Sequence, residues 1–121
     1  PLKDAESLIY NKDNLITDIG KKTDDYKNIQ GQFTGLLKIR ADKIYKLIST
    51  YDDLNKNIDY EERSFEQMYM TTFIQILINL GWKIKAVLVH NGWIEIDTLS
   101  DIKLYKKLAS KRILNKFIKL D

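Results

Sequence analysis

The segment NGWIEIDTLSD, Asn91–Asp101, carries the clearest local structural signals in the chain. Its Asn-Gly pair favours a tight hairpin turn, because both residues tolerate positive φ. The five residues after the turn alternate in character, and successive side chains of a strand point to opposite faces. The two isoleucines would then lie on one face, and the other face would present Trp93, Glu95 and Asp97.

A helix is predicted directly after this strand. Thr98 and Asp101 have the spacing of a capping box, with Asp in place of the usual Glu, and they predict a helix that continues through Leu108. The apolar run KIKAVLV, residues 83–89, precedes the turn. We therefore predict that residues 83–89 and 93–97 pair as antiparallel strands.

Further strands are predicted near the start of the chain. Short apolar pairs at 8–9 and 15–16 flank the polar run YNKDN, which indicates a small hairpin. The segment GQFTGLLKI, residues 31–39, is also strand-like. Its glycines, Gly31 and Gly35, mark a bulge or a close approach of backbone or ligand.

Helices are predicted in the remaining segments from apolar residues at helical spacing. Asp42 is a candidate N-cap for a helix over residues 44–51, and Ser64 is a candidate N-cap for a helix that ends at Gly81. The tail, residues 111–120, is predicted to be helical as well. The fold class is therefore α/β, with a small mixed sheet and helices packed on it.

The composition limits the classes of function. A chain of 121 residues with 44% hydrophobic residues is one globular domain or a fragment of one. The net charge of +3 comes from 20 basic and 17 acidic residues that are well mixed, which argues against nucleic acid as a partner. The segment Lys106–Lys119 is basic without any acid, and it is either a solvated helix face or a contact with phosphate or a partner.

The cysteine content and the most apolar run of the sequence predict the location of the protein. No cysteine is present, so disulfides and thiolate chemistry are excluded, and a reducing compartment such as the cytoplasm is expected. The most apolar run, FIQILINLGW, is too short to cross a membrane.

Asp97 is the candidate for chemistry, because it ends a predicted strand immediately before a capped helix. Open α/β sheets place ligand sites at such junctions. A carboxylate at this point suits Mg²⁺, which takes its other ligands from water and phosphate oxygens. A magnesium site would need a second carboxylate, which no spacing in the chain identifies. The alternative is that Glu95 and Asp97 are exposed strand residues and that Trp93 packs at an edge.

The run from Phe65 to Leu108 resembles the C-terminal part of the nucleotidyltransferases related to phosphocholine cytidylyltransferase and the sugar-phosphate nucleotidyltransferases. Its segment WIEIDTLSDI is similar to the signature W-x-E-I/V-D-T-x-x-D-L, with Ile102 in place of the final Leu. GQFTGLLKI is similar to the family's G-E-(F/Y)-x-G-(L/I)-x-K strand, with Gln32 in place of the usual acid. Thr72 also stands where many relatives have an acidic residue.

The resemblance implies a fold and a set of site residues. The fold would be the C-terminal portion of a Rossmann-like nucleotidyltransferase domain. Asp97 would be the catalytic residue and the ligand of Mg²⁺. The pocket for the phosphorylated acceptor would be lined by Trp93, Glu95, Gln32, Gly35 and Tyr69. Trp93 and Tyr69 would face the quaternary ammonium of phosphocholine, or would stack on a sugar.

The resemblance also implies partners. A nucleoside triphosphate, preferably CTP, would transfer its nucleotidyl group to a small phosphorylated acceptor such as phosphocholine or a sugar phosphate. The family's Gly-rich phosphate loop is missing among the five glycines, so we expect an absent N-terminal half and an inactive isolated chain. Strand edges left exposed would favour a homo-oligomer. The alternative class is a non-catalytic α/β module for interaction or ligand binding.

Overall fold

The computed structural model describes residues 6–23 and 25–118, and the chain divides into two compact units, Pro1–Ala86 and Val87–Asp121. The strands of the described residues are β1 (Glu6–Tyr10) and β2 (Ile16–Lys22), both in the first unit. The α-helices are α1 (Ile44–Asp52) and α2 (Met70–Asn79) in the first unit and α3 (Leu99–Ser110) in the second. These elements confirm the α/β class, whereas the Rossmann-like topology stays a prediction.

The predicted N-terminal hairpin is confirmed, with β1 and β2 paired antiparallel. Its turn is held by the Asn11 side chain, whose oxygen accepts hydrogen bonds from the N–H groups of Asp13 at 2.9 Å and Leu15 at 3.0 Å. Asparagine side chains commonly close turns in this way. The polar run between the two apolar pairs therefore provides both the reversal of the chain and the hydrogen bonds that fix it.

The core of the first unit lies between the hairpin and α2. Leu8, Ile19 and Ile74 form its buried centre, and Ile19 and Ile74 are each only 1% exposed. Gln75 adds a polar link, because its side-chain oxygen accepts a hydrogen bond from the Ile19 N–H at 2.8 Å. Its amide nitrogen donates to Asn79 at 2.9 Å. The apolar stripe of α2 and one polar side chain thus attach the helix to β2.

Gly20 allows β2 to approach α2 closely. A Cβ atom at this position would lie 2.7 Å from the Cβ atom of Thr71, and the Gly20 φ is +88°. Only glycine avoids both the contact and the left-handed backbone penalty. No local pattern in the sequence indicates this role, because the neighbour in α2 lies far along the chain.

Aromatic rings join α1 to the rest of the first unit. The ring of Tyr51 lies 4.9 Å from that of Phe65 and 5.4 Å from that of Phe73, measured between centroids. Offset and edge-on ring pairs at such distances are favourable. The predicted apolar stripes of the two helices therefore meet through these rings.

Two predicted helix starts are wrong. Asp42 lies inside a short 3-10 turn, Ala41–Lys43, and its carboxylate accepts a hydrogen bond from the Arg40 guanidinium at 2.9 Å instead of capping α1. Ser64 precedes another 3-10 turn, Phe65–Gln67, without a side-chain capping bond, and α2 begins later. At Asp42 the ion pair with Arg40 replaces the expected cap. At Ser64 the backbone carbonyl, and not the side chain, accepts a hydrogen bond from the Gln67 N–H.

The end of α2 at Gly81 is confirmed. Gly81 has φ +85°, its N–H donates to the Ile78 carbonyl at 2.9 Å, and the Trp82 N–H donates to the Leu77 carbonyl at 3.0 Å. A left-handed residue with such bonds is a common helix terminus.

The predicted strand over residues 31–39 does not form. Leu36 is 85% exposed, so the alternation of apolar residues in this segment has no core to cover. A strand also needs a neighbour for its backbone groups, and the sheet of the described residues ends at two strands.

The predicted hairpin of residues 83–89 and 93–97 does not form either, because its first half has other partners. The Ile16 N–H donates to the Ile84 carbonyl at 2.8 Å, and the Ala86 N–H donates to the Asn14 carbonyl at 2.8 Å. The turn keeps positive φ at both residues, but the Gly92 N–H donates to the carbonyl of Phe117 at 2.6 Å.

The predicted tail helix is largely wrong. It consists of a 3-10 turn, Leu114–Lys116, with Leu114 buried, while residues 119–120 lie outside the described residues. Among residues 6–23 and 25–118, no helix has the length and apolar character needed to cross a membrane.

Candidate functional site

The segment that carries Asp97 is irregular and forms no strand. Trp93 and Ile94 are both half-buried, whereas Glu95, Ile96 and Asp97 are all exposed, so the predicted alternation of two faces is wrong. Without a paired neighbour no ladder fixes the pleat of this segment. The carboxylate of Asp97 forms no ion pair with any residue that the structure describes.

The helix that follows Asp97 begins with the predicted capping box. The Asp101 N–H donates to the Thr98 hydroxyl oxygen at 3.3 Å, and the Asp101 carboxylate accepts from the Thr98 N–H at 2.7 Å and from the Asp97 N–H at 3.2 Å. The hydrogen bond from the Thr98 side chain, followed by those from the backbone, lowers the pKa of Asp101 below its ordinary value. The cap therefore fixes the backbone of Asp97 at the start of α3.

Thr98→Ala is expected to destabilise α3 by about 1 kcal/mol, because the Asp101 N–H loses the Thr98 hydroxyl as its side-chain acceptor. The lowered pKa of Asp101 means that its stabilising effect is present above its unfolded pKa of about 3.9 and is lost as pH falls through the folded value. The helix content of the wild type should therefore decrease in this acid range, and the decrease should be smaller in the variant. Circular dichroism during urea and acid titrations measures both effects.

Thr98→Ser is the matched control for that experiment, because it keeps the hydroxyl group. It should retain most of the stability and the acid transition of the wild type. Equal losses in the alanine and serine variants would contradict the assignment of the hydroxyl as the cap.

The other predicted site residues belong to the first unit. Gln32 and Gly35 are exposed and lie in the irregular segment 31–39, and Gly35 has φ +79° with no atom within 4 Å of the point where a Cβ atom would stand. Tyr69 is 50% exposed and is the N-cap residue of α2. Their assignment to an acceptor pocket stays a prediction.

The sequence analysis did not identify two residues of the turn before α2, Glu61 and Arg63. The guanidinium of Arg63 lies over the Tyr69 ring, 4.0 Å from its centroid, and the carboxylate of Glu61 accepts a hydrogen bond from the Thr72 hydroxyl at 2.6 Å. Thr72 is the position where an acidic residue was expected, so Glu61 brings a carboxylate to that place from a neighbouring turn. No local pattern could indicate this contact, because it joins residues 11 apart.

The fit of the described residues to Mg²⁺ rests on Asp97. Its exposed carboxylate is a hard oxygen donor of the kind that Mg²⁺ prefers. Within residues 6–23 and 25–118, no three acidic, histidine or cysteine side chains are grouped so that they could hold a metal ion. Asp97 therefore supplies one of the carboxylates that a magnesium site would need, the described residues group no second one with it, and the magnesium site stays a prediction.

Comparison with known proteins finds similarity to a cytidylyltransferase. The relative is the CTP:phosphoglutamine cytidylyltransferase of Campylobacter jejuni subsp. jejuni, which is 38% identical over 104 residues. The matched region is 86% of this chain but 41% of the relative, so the chain spans less than half of the relative's length. No family model matches the chain, and no solved structure matches it.

This relative confirms the predicted resemblance at the level of cytidylyltransferases. It does not confirm phosphocholine or a sugar phosphate as the acceptor, since its name gives a different one. The predicted metal, the absent N-terminal half and the homo-oligomer stay predictions.

Proposed function

We propose that the chain is the acceptor- and metal-binding part of a CTP-dependent cytidylyltransferase. The observation that carries this proposal is the 38% identity over 104 residues to such an enzyme. It is supported by Asp97, an exposed carboxylate held at the start of α3 by the capping box. Because the chain covers 41% of the relative, the activity is proposed for the complete gene product.

The reaction needs no protein nucleophile. A phosphate oxygen of the acceptor attacks the α-phosphorus of CTP, the bond from that phosphorus to the bridging oxygen breaks, and pyrophosphate leaves. The products are the cytidylylated acceptor and pyrophosphate. Phosphoryl-type transfers of this kind are catalysed mainly by positioning and by electrostatic stabilisation.

Asp97 is the residue that we propose as the ligand of Mg²⁺. When bound, Mg²⁺ neutralises the negative charge that develops on phosphate oxygens during the transfer. The Thr98–Asp101 cap acts as a support, because it fixes the backbone on which the Asp97 carboxylate is carried.

We propose that the acceptor is a small phosphorylated compound. In the first unit we propose Gln32, Gly35 and Tyr69 as residues that bind it, and in the second unit we propose Trp93 and Glu95 for the same role. Aromatic rings offer a flat apolar contact, while the carboxylate and amide groups supply hydrogen bonds that orient a polar ligand. The relative's name makes phosphorylated glutamine the first acceptor to try, before phosphocholine or a sugar phosphate.

The test is a pyrophosphate-release assay on the complete gene product with CTP, Mg²⁺ and each of these acceptors. We expect release that requires both CTP and an acceptor, and we expect UTP or ATP to support it poorly. The absence of release with every acceptor would overturn the proposed function. A non-catalytic binding module would instead show acceptor binding without pyrophosphate.

The 121-residue chain by itself is expected to release no pyrophosphate under the same conditions. Its five glycines form no Gly-rich loop followed by a lysine, and such loops supply the N–H groups and the charge that stabilise a triphosphate. The complete gene product, assayed at the same molar concentration, is the control. Acceptor-dependent release by the short chain would contradict this prediction.

A further inference from the structure

The turn before α2 holds two consecutive residues in an uncommon conformation. Glu61 has φ 51° and Glu62 has φ 64°. The turn is closed on both sides, since the Tyr60 N–H donates to the Arg63 carbonyl at 2.7 Å and the Arg63 N–H donates to the Tyr60 carbonyl at 3.2 Å. Two-residue turns with positive φ usually contain Asn and Gly. Two glutamates in this conformation are unfavourable unless the surroundings hold them.

The consequence of the turn is that Glu61 and Arg63 have different partners. Glu61 receives the hydrogen bond of Thr72, which is buried in α2, while Arg63 lies across the exposed ring of Tyr69. No carboxylate of the described residues forms an ion pair with Arg63. The guanidinium thus lies over the ring, and its N–H donors face no acidic partner in the part of the chain that the structure describes.

We propose that Arg63 binds a carboxylate of the acceptor, so that the substrate class is a phosphorylated compound that also carries a carboxylate, such as a phosphorylated amino acid. This inference rests on the proposed function and deepens it. A planar guanidinium is suited to paired hydrogen bonds with a carboxylate.

The same arrangement argues against phosphocholine. A quaternary ammonium binds to the face of an aromatic ring. One face of the Tyr69 ring already carries the cation of Arg63, 4.0 Å from the centroid. A second cation beside it would be repelled, whereas an anion would be attracted.

The experiment compares two acceptors in the complete gene product. One is phosphorylated glutamine, and the other is the same compound with its α-carboxylate converted to an amide. The wild type should have a KM at least about tenfold lower for the carboxylate form, since hydrogen bonds between charged groups contribute more to binding than hydrogen bonds between neutral groups. Arg63→Gln should raise the KM for the carboxylate form about 10- to 100-fold, with little change in kcat, and should remove the discrimination.

Arg40→Gln is the matched control, because it removes an arginine of the first unit that pairs with Asp42. It should keep the discrimination between the two acceptors, and Arg63→Lys should recover only part of it. An equal rise in KM for the two acceptors in Arg63→Gln would show that Arg63 binds the phosphate or only stabilises the fold. That result would overturn the inference. A wild type that prefers phosphocholine would overturn it as well. Release of no pyrophosphate with any acceptor would overturn the proposed function itself.

Discussion

Asp97→Asn in the complete gene product is expected to lower the rate of cytidylyl transfer about 10²- to 10⁴-fold, because a metal ion contributes several kcal/mol of charge stabilisation and each 1.36 kcal/mol corresponds to tenfold. The substitution keeps the shape of the side chain and removes its charge. Since Asp97 is exposed and forms no ion pair with described residues, the fold should be unchanged. Pyrophosphate release as a function of Mg²⁺ concentration measures the effect.

Asp101→Asn is the control that separates the metal from the helix cap. Asp101 lies four residues further on, and its carboxylate accepts from the Thr98 N–H at 2.7 Å. Its loss should weaken the start of α3 without removing the proposed metal ligand. If Asp101→Asn reduces turnover as much as Asp97→Asn, the role of Asp97 is to hold the helix start, and the assignment as a metal ligand is wrong.

Gly20→Ala is expected to destabilise the chain by about 2–5 kcal/mol, the sum of a left-handed backbone penalty and an overpacking penalty. The new Cβ would lie 2.7 Å from the Cβ atom of Thr71 and 2.9 Å from its Oγ1 atom. Thr71 cannot move aside easily, because it is buried and belongs to α2. The midpoint of urea unfolding, followed by circular dichroism, measures the change.

Gly81→Ala provides the comparison for this experiment. Its φ of +85° is close to the +88° of Gly20, but no atom lies within 4 Å of its added Cβ. The loss should therefore be limited to the backbone penalty of about 1–2 kcal/mol. Equal losses of unfolding free energy in Gly20→Ala and Gly81→Ala would show that the hairpin can move away from α2 without an energetic cost.

The features that were predicted correctly depend on residues close together in the sequence. The first hairpin is fixed by the side chain of Asn11, the end of α2 by Gly81, and the start of α3 by Thr98 and Asp101. Each signal lies within four residues of the structure that it determines. Turn and cap chemistry of this kind can be recognised without knowledge of the fold.

The predicted strands failed because strand pairing depends on residues that are far apart in the sequence. Periodicity indicated that residues 83–89 could pair, but it could not show that Ile84 and Ala86 would bond to residues near Asn14. Residues 31–39 show a similar limit, because alternation alone does not provide a neighbouring strand. The prediction that Trp93, Glu95 and Asp97 share a face depended on a strand and fails with it.

The same limit applies to the candidate site, whose residues stay proposals. Asp97 was identified from its position before a capping box, which is a local signal. Arg63 was not identified, because its contact with Tyr69 depends on the closed turn at Glu61 and Glu62. Two glutamates give no indication of a tight turn, so only the structure places the guanidinium on the ring.

The hydrogen bond from the Ile19 N–H to Gln75 links two elements that would be weak alone. An isolated hairpin is marginally stable in water. Because this amide proton is held by a side chain of α2, it can exchange with deuterium from the solvent only when the helix separates from the sheet. Ile19 should therefore exchange together with the amides of α2, as one cooperative unit, and more slowly than the amides at the ends of β1 and β2. Because Gln75 accepts the hydrogen bond of Ile19, the exchange rate of the Ile19 amide reports the separation of α2 from the hairpin.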